Sequence, residues 1–382
     1  MRICYFADGR YIHALRWMKF FAERGHEMHL ISFAPMSNEN ISEMTNIGVK
    51  CHGTIGNFHL KKFWLTLWDL KRLRKILRRE KIDILHCHFL GANAWYAALS
   101  RFHPYIITIM GGGDVVGKDW KPGDDIREKK LTPLALRKAD LITSWSQLMA
   151  DVVRPYCRPE TPIEVVHGGI HLDRFVPGPK PEYLLRRLEL PVDASVVFSP
   201  RLMRPLSNVD KIAAAMAQIT AQVPNAFLII ACPPHVIETE YLDRLKGILT
   251  ENCAIKNTRF VYGIPHGEMA DFFRLADVTV SIPDTDGTPM TVLESMACGT
   301  PTVIGDLSDY DRAYFENDLT TLMVDQKNSN AIADAVGSYL TNGDLSLSIA
   351  EEARRRVVAT GGYEYQMGRM EQLYYGLVET PK

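Results

Sequence analysis

The chain has 382 residues, more than one ordinary hydrophobic core accommodates, so we expect two domains. Its 46% hydrophobic and 23% charged residues, with no apolar run as long as a membrane span, indicate a soluble globular protein rather than an integral membrane protein. The net charge of −1 conceals an asymmetry: residues 1–175 hold 26 Lys and Arg against 18 Asp and Glu, so the two halves are expected to meet different partners.

The seven cysteines are scattered along the chain, and no two of them form a C-x-x-C pair. The N-terminus, MRICYFADGR, has no apolar segment followed by a small-residue cleavage site, so we predict no signal peptide. Unpaired cysteines in this arrangement are typical of a reduced, cytoplasmic protein. We expect no nucleic-acid partner.

The chain opens with a predicted βαβ unit. A strand over 2–7 precedes a helix over 13–24 and a second strand over 28–33. Gly9 lies in the turn after the first strand, where a glycine serves either the turn geometry or the approach of a ligand. The turn lacks G-x-G-x-x-G, which argues against a nicotinamide cofactor.

Residues 59–81 predict a basic amphipathic helix. It carries nine Lys and Arg against two acidic residues, and Trp64, Leu67 and Trp68 form an apolar cluster near its start. One interpretation is docking on an anionic membrane surface, where each adjacent basic side chain contributes about 1 kcal/mol. The other is a domain helix that packs its leucine stripe inward. The two interpretations are compatible, and both stay open.

The next two predicted strands end in polar side chains. The strand over 82–88 places His86 and His88 on one face. A His-x-His pair can ligate zinc, but no third ligand follows at a suitable spacing. The strand over 105–110 leads into G-G-G-D, which ends at Asp114.

Strands and helices go on alternating through the second half. Strands over 196–199, 227–232 and 258–263 alternate with helices over 208–223 and 238–252. Together with the first half, this pattern predicts an α/β protein with two parallel, doubly wound sheets.

Residues 278–304 contain the strongest candidate site. The β-branched run 278–282 predicts a buried strand, residues 283–289 a turn-rich loop, and 290–297 a helix capped by the following glycine. The start of a helix offers unpaired N–H groups and a partial positive charge. This arrangement predicts a phosphate site.

Two carboxylates frame this helix start. Asp286 lies in the loop, where it can reach a group beyond the phosphates, and Glu294 lies in the helix, where it can accept hydrogen bonds from vicinal hydroxyls. The letters D-G-T-P-M-T-V-L-E-S-M-A-C-G-T-P closely resemble the E-x7-E motif, followed by A-M-A-x-G-x-P, of the retaining glycosyltransferases of family 4. Asp286 departs from the motif, because it stands where the family has Glu.

Other segments share this resemblance. D-I-L-H-C-H at 83–88 resembles D-V-V-H-x-H, and the run 168–177 resembles N-G-V-D-x-x-x-F-x-P, which approaches the hinge between domains. Arg201 matches the arginine of G-R-x-x-x-x-K-G, whose Arg and Lys clasp the donor diphosphate. Leu206 occupies the lysine position; Arg204 and Lys211 are candidate substitutes, and Arg204 is favoured because it lies in the same loop.

The resemblance covers nearly the whole chain and implies the GT-B fold, with two Rossmann-like domains facing a central cleft. Residues 1–175 and the terminal segment 363–382 would form the acceptor domain, and 176–362 the nucleotide-sugar domain. The implied reaction transfers a sugar from a nucleotide-diphosphate sugar with retention, without cofactor or metal. The acceptor would be a glycan or lipid-linked precursor, and the protein cytoplasmic or peripheral at the inner face of the membrane.

The resemblance also implies roles for single residues. Asp286 and Arg201 would be catalytic. Donor contacts are expected from Glu294, Arg204, Gly287, Thr288, Pro289, Met290, Thr291, Gly263 and Gly9. The acceptor cleft is expected to include His13, His86, His88 and Asp114. In many relatives a histidine that contacts the sugar stands where this chain has Gly111.

Three alternatives remain open. Asp284-x-Asp286 resembles a metal-binding D-x-D, for which magnesium or manganese would be the ion. A sugar-nucleotide epimerase of the same fold would use His86, His88 or Asp114 as acid or base. A binding subunit without turnover would explain the missing lysine and the missing histidine.

Overall fold

The computed structural model describes residues 1–56, 58, 63–110, 115, 120–123, 125–232, 239–308 and 310–379. The chain divides into two compact units, which we call unit 1 (Met1–Gly168 and Glu364–Lys382) and unit 2 (Gly169–Tyr363). Each unit is built on one parallel sheet covered by helices, which confirms the predicted α/β class. None of the helices within the described ranges is long and apolar enough to cross a lipid bilayer.

Unit 1 contains a seven-stranded sheet in the order β3-β2-β1-β4-β5-β6-β7. Its strands are β1 (Arg2–Ala7), β2 (Glu27–Ser32), β3 (Lys50–Thr54), β4 (Ile84–His88), β5 (Tyr105–Ile109), β6 (Leu141–Ser144) and β7 (Ile163–Val165). Its helices before unit 2 are α1 (Ile12–Glu23), α2 (Asn38–Asn46), α3 (Phe63–Arg79), α4 (Ala92–Ser100), α5 (Ile126–Lys138) and α6 (Gln147–Val153).

Unit 2 contains a six-stranded sheet in the order β10-β9-β8-β11-β12-β13. Its strands are β8 (Ser195–Ser199), β9 (Ala226–Cys232), β10 (Thr258–Tyr262), β11 (Val278–Ser281), β12 (Thr302–Gly305) and β13 (Leu322–Val324). Its helices are α7 (Glu182–Arg187), α8 (Val209–Gln222), α9 (Thr239–Glu251), α10 (Met269–Leu275), α11 (Met290–Ala297), α12 (Ser329–Thr341) and α13 (Gly343–Thr360). The last helix, α14 (Tyr363–Glu379), belongs to unit 1 from Glu364 onward.

The sheet of unit 2 is buried on both faces, as parallel sheets generally are. On one face α8, α9 and α12 pack a core that includes Met216, Leu245 and Ile332. On the other face α7, α10, α11 and α13 enclose a second core around Phe198 and Phe273. These two layers hold the carboxyl ends of the strands along one edge of the sheet.

Both sheets reverse their strand order once, between β1 and β4 in unit 1 and between β8 and β11 in unit 2. In open parallel sheets the connections leave in opposite directions at such a point, so a crevice forms beyond the strand ends. Ligands of doubly wound folds bind in this crevice. The switch point of each unit is therefore the place to look for a site.

Candidate functional site

The switch point of unit 2 brings together Arg201 and Asp286. Arg201 follows β8 by two residues, and Asp286 lies in the loop between β11 and α11. Arg201 Nε donates to Ser281 Oγ at 2.7 Å, and its guanidinium forms an ion pair with Asp286. Asp286 Oδ1 also accepts a hydrogen bond of 2.9 Å from the Gly287 N–H. A guanidinium and a carboxylate are thus fixed at the edge of the sheet.

Both partners of this ion pair are largely enclosed. The side chains of Arg201 and Asp286 are 22% and 19% exposed. At this burial their mutual attraction is stronger than that of a surface pair. Ser281 is fully buried at the end of β11 and fixes the guanidinium from the other side. The arginine therefore has one rigid support and one ionic partner.

The start of α11 lies directly after this pair. Pro289 is the N-cap residue, and no side chain caps the helix by a hydrogen bond. Pro289 O accepts from the N–H groups of Val292 and Leu293, at 3.0 and 3.1 Å. The N–H groups of Met290 and Thr291 precede any intrahelical acceptor. The predicted helix start, with its capacity for an anion, is present.

Two buried hydroxyls on the elements that meet at this switch point have no hydrogen-bond partner among the described residues. They are Ser199 Oγ, at the end of β8, and Thr291 Oγ1, in the first turn of α11. A buried hydroxyl without a partner costs about 1–3 kcal/mol. Such a cost is compensated where a ligand supplies the missing hydrogen bond, and both atoms lie at the switch point.

The other predicted donor residues surround the same loop or lie further along the edge. Gly287, Thr288 and Pro289 are buried, and Glu294 is 7% exposed in the second turn of α11. Gly263 follows β10, has a φ of +63° that favours glycine, and donates its N–H to Cys232 O at 2.7 Å. Its position is explained by this turn.

Arg204 and Lys211 differ in their surroundings. Arg204 is exposed in the loop between β8 and α8, and its side chain makes no hydrogen bond or ion pair with any of the described residues. Lys211 lies on α8, where its Nζ is 3.8 Å from Asp210 Oδ2. Of these two candidates for the missing lysine, Arg204 is the one free to meet a ligand.

Asp284 is held by a lysine that the sequence patterns did not single out. Lys327 Nζ lies 2.5 Å from Asp284 Oδ1 and 2.8 Å from Asn208 Oδ1. Asn208 Nδ2 in turn donates to Asp284 Oδ1 at 2.7 Å and to Ile282 O at 2.9 Å. Burial alone would raise the pKa of Asp284, but the hydrogen bonds from Asn208 and Lys327 lower it overall. The carboxylate is therefore charged and paired.

Both carboxylates of the D-x-D pattern are thus engaged by cations of unit 2, Asp284 by Lys327 and Asp286 by Arg201. Over the described part of the chain, no group of three or more His, Cys, Asp or Glu side chains is arranged to hold a metal ion.

The switch point of unit 1 contains Gly9 and two of the predicted histidines. A Cβ at Gly9 would lie 2.5 Å from Met36 Sδ, so a larger residue there would require the flexible Met36 side chain to shift. His86 and His88, at the end of β4, point to the same face as predicted, since both rings contact Tyr5. The ring of His13 packs edge-on against the ring of Trp145, with 5.0 Å between ring centroids.

The two strand histidines are enclosed rather than open to solvent. His86 is fully buried, and its two ring nitrogens bond Tyr374 Oη at 2.6 Å and Thr108 Oγ1 at 2.5 Å. Burial lowers the pKa of His86 well below its usual value, so the ring is neutral. His88 is 1% exposed, and its Nε2 has no hydrogen-bond partner among the described residues. Burial lowers the pKa of His88 to about 3.

Two predictions fall outside the described residues. Gly111 and Asp114 lie in the range 111–114, which the structure does not describe. Residues 59–62, at the start of the predicted basic helix, are a second range that the structure does not describe.

The rest of that basic helix is α3, and it presents two different faces. Thr66, Leu70, Leu73, Ile76 and Leu77 are buried against unit 1. At its first turns Phe63, Trp64, Leu65, Leu67 and Trp68 are exposed, with Trp64 and Trp68 at 57% and 60%. Further along, Lys71, Arg74, Lys75, Arg78 and Arg79 line a basic groove. The predicted inward leucine stripe is confirmed, and the tryptophans lie outside it.

Sequence reasoning missed several residues that shape the site. Ser199 and Ser281 are strand-end serines, and only their place at the switch point distinguishes them from other β residues. Asn208 carries one local signal, because asparagine tolerates its left-handed φ of +52° before α8. Lys327 carries none, since it is 119 residues away from Asn208 in the chain.

Comparison with known proteins gives matches over both units. The family described as "Glycosyltransferase Family 4" matches residues 9–174, and that described as "Glycosyl transferases group 1" matches residues 184–356. A D-inositol 3-phosphate glycosyltransferase of Thermobispora bispora is 26% identical over 80% of this chain and 75% of its own length. The N-acetyl-alpha-D-glucosaminyl L-malate synthase of Bacillus anthracis is 22% identical over 95% of this chain and 93% of its own.

Solved structures show the same fold. Anabaena Alr3699/HepE in complex with UDP has a TM-score of 0.82 at 14% identity, covering 99% of this chain and 100% of its own. A glycosyltransferase from Rickettsia africae has a TM-score of 0.81 at 14% identity, covering 100% of this chain and 99% of its own. This likeness confirms the predicted GT-B fold.

Proposed function

Because the chain belongs to the group 1 glycosyltransferases of family 4, we propose that it transfers a sugar, with retention, from a nucleotide-diphosphate sugar to a glycan or lipid-linked acceptor. The observation that carries the proposal is the set of anion-binding groups at the switch point of unit 2. Arg201, the uncapped start of α11 and the Thr291 hydroxyl in its first turn lie there, and Ser199 ends the neighbouring strand β8. Such a set fits a diphosphate, which offers several acceptor oxygens and negative charge.

The proposed mechanism is stabilisation of the leaving diphosphate. As the bond between the anomeric carbon and the diphosphate oxygen breaks, negative charge grows on the diphosphate and an oxocarbenium-like centre forms on the sugar. Arg201 and the N–H groups of Met290 and Thr291 would hold that charge in fixed positions. The acceptor hydroxyl forms the new bond from the face that the diphosphate leaves, and its proton passes to the departing phosphate oxygen.

Two carboxylates would orient the donor. Glu294, almost buried in α11, would accept hydrogen bonds from the ribose hydroxyls. Asp286 would orient the sugar. It is paired with Arg201, and we propose that the arriving diphosphate competes with the carboxylate for the guanidinium and exchanges with it. That exchange would release Asp286 towards the sugar at the moment of donor binding.

We include metal independence in the proposal. The cations that would balance the diphosphate belong to the chain itself, and the carboxylates of the D-x-D pattern are each occupied by one of them. A resident divalent ion would have to displace those pairs before it could bind two carboxylates.

We also propose that α3 docks unit 1 on an anionic membrane surface. Trp64, Trp68, Lys71, Lys75 and Arg78 recur at three- and four-residue spacing and so share one helix face. Tryptophan belongs at the boundary between headgroups and acyl chains, and lysine and arginine bind anionic headgroups. A protein held there would meet a lipid-linked acceptor directly.

The first experiment is a thermal-shift panel with UDP-, GDP- and ADP-linked sugars, each with and without EDTA. A ligand that binds only the folded state raises the melting temperature. We expect one nucleotide class to stabilise the protein equally in both conditions. The UDP-glucose bound to Anabaena HepE makes UDP-linked sugars the first to test. Stabilisation that disappears with EDTA would support the D-x-D metal site instead.

Donor consumption then separates the remaining alternatives. A transferase releases nucleoside diphosphate in step with glycosylated acceptor. A binding subunit releases none, and an epimerase converts the sugar without releasing nucleotide. Stabilisation by a nucleotide sugar with no release across an acceptor panel would contradict the proposed transfer.

A further inference from the structure

The loop between β8 and α8 lacks a cation at its end. Leu206 occupies the position where the resembling motif has a lysine, and its side chain is 50% exposed. A diphosphate carries more negative charge than one guanidinium balances, so Arg201 alone leaves the proposed donor site under-compensated. A second cation is expected close to this loop.

Lys327 reaches this place from a different part of unit 2. It lies in the loop between β13 and α12, and its backbone N–H donates to Asp325 Oδ1 at 2.9 Å. Its ammonium contacts Asp284 Oδ1 at 2.5 Å, and the backbone N–H of Asp284 donates to Leu206 O at 2.9 Å. Asp284 therefore contacts both Lys327 and Leu206, the residue at the position where the motif has a lysine.

Arg201 and Lys327 are anchored on the same short segment, 281–286, which begins at the last residue of β11. Arg201 binds Ser281 and Asp286, the two ends of that segment. Lys327 binds Asp284 between them, and it also binds Asn208, whose side-chain amide donates to Ile282 O. The two cations thus flank one loop at the carboxyl edge of the sheet.

The ammonium of Lys327 retains capacity for a ligand. An ammonium has three N–H donors, and Asp284 and Asn208 accept two of them. The side chain of Lys327 is 53% exposed, so the third donor can be reached from solvent. The two acceptors hold the flexible lysine in one place, which reduces the entropy that a ligand contact would cost.

We infer that Lys327 is a donor-binding residue, which supplies to the diphosphate a second cation in place of the lysine that Leu206 replaces in the loop between β8 and α8. The inference rests on the proposed function. It differs from the expectation that Arg204 takes this role, because the ammonium of Lys327 is fixed by two side chains, whereas the side chain of Arg204 has no partner among the described residues. Asp284 then serves as the support of Lys327.

The test is calorimetric titration of the full chain with UDP, GDP and ADP in the presence of EDTA. The diphosphate that binds the wild-type protein is then used with Lys327→Ala, Lys327→Arg and Lys180→Ala. Lys180 is the matched control: its ammonium pairs with Asp277 at 2.6 Å in unit 2, but at the amino ends of β8 and β11. Melting temperatures show that each variant is folded.

We expect Lys327→Ala to bind the diphosphate about 10- to 100-fold more weakly, as for the loss of a charged hydrogen bond. Lys327→Arg should keep most of the affinity, and Lys180→Ala all of it. If Lys327→Ala does not fold, Lys327→Gln, which keeps a hydrogen bond to Asp284, gives the same comparison. Unchanged affinity in the alanine or glutamine variant would overturn the inference alone, as would an equal loss in Lys180→Ala. A wild-type protein that binds none of the three would overturn the proposed function, and the inference with it.

Discussion

The ion pair between Arg201 and Asp286 leads to a prediction that separates stability from catalysis. Asp286→Asn keeps the size of the side chain and an acceptor oxygen but removes the negative charge. Both side chains are about four-fifths buried, so Arg201 would be left as a poorly solvated charge without its counter-ion. Removing one partner of a fully buried pair costs about 3–5 kcal/mol. With the exposure of this pair, we expect a loss of about 1–2 kcal/mol in the free energy of unfolding.

For a domain of this size, each kcal/mol corresponds to about 2–4 °C in Tm. The ligand response should change in the opposite direction. In the wild-type protein a diphosphate competes with Asp286 for Arg201, whereas in Asp286→Asn the charge of that competitor is absent. Nucleoside diphosphate should therefore raise the Tm of the variant by more than that of the wild type. Sugar transfer should fall by about 100-fold or more, because the group that orients the sugar is lost.

The assay combines thermal shift with UDP, GDP and ADP and a measurement of nucleotide release from the donor. Asp271→Asn is the control, because Asp271 pairs with Arg274 at 2.5 Å with similar exposure but lies in α10. The control should lose stability without any change in nucleotide response. A parallel loss of nucleotide binding and transfer in Asp286→Asn would refute the assigned role, and unchanged transfer would refute it as well.

Three further predictions concern other parts of the chain. Thr291→Val should leave Tm unchanged or raise it, because it removes a buried hydroxyl without a partner. The same variant should bind the diphosphate several-fold more weakly in titration, and equal binding would contradict a ligand contact. Between pH 6 and pH 5, His88 should lower the free energy of unfolding of the wild-type protein by about 1 kcal/mol, and His88→Phe should remove this decrease, as measured by urea titration. The sign follows because burial lowers the folded pKa to about 3, so the unfolded chain binds the proton first and the wild type loses stability as pH falls; an unchanged slope would refute this. Replacing Trp64 and Trp68 together by Ser should weaken co-sedimentation with phosphatidylglycerol vesicles about tenfold or more without lowering Tm, since both rings are exposed; undiminished binding would contradict membrane docking.

The elements that the sequence predicts best are those whose signals are local. The helix over 290–297 begins and ends where predicted, because Pro289 precedes it and Gly299 follows it. By contrast, α2 and β3 were not predicted. The sequence of β3, KCHGT, has no apolar alternation, and its residues are only partly buried at the edge of the sheet. Its strand conformation is imposed by pairing with β2 rather than by its own residues.

The candidate site likewise contains some features that the sequence predicts and others that depend on the tertiary structure. That Arg201 and Asp286 lie near each other follows from the resemblance and from the rule that parallel strands end at one edge. That they form an ion pair depends on side-chain geometry, which no sequence pattern contains. The histidines of β4 were predicted to share a face, and they do, but the enclosure of His86 by Tyr374 joins residues 288 positions apart. Contacts of this kind require the tertiary structure.

The return of α14 to unit 1 determines the order in which the protein can be completed on the ribosome. Tyr374 is fully buried in unit 1 and bonds both Tyr5 at 2.7 Å and His86 at 2.6 Å, while Glu371 binds Arg24. Tyr5, His86 and Arg24 are synthesised early, but their contacts with α14 form only after that helix emerges, some 200 residues after the rest of unit 1. Unit 2, whose residues are contiguous, can finish folding before unit 1 does. Unit 1, although most of it is translated first, therefore completes its fold last.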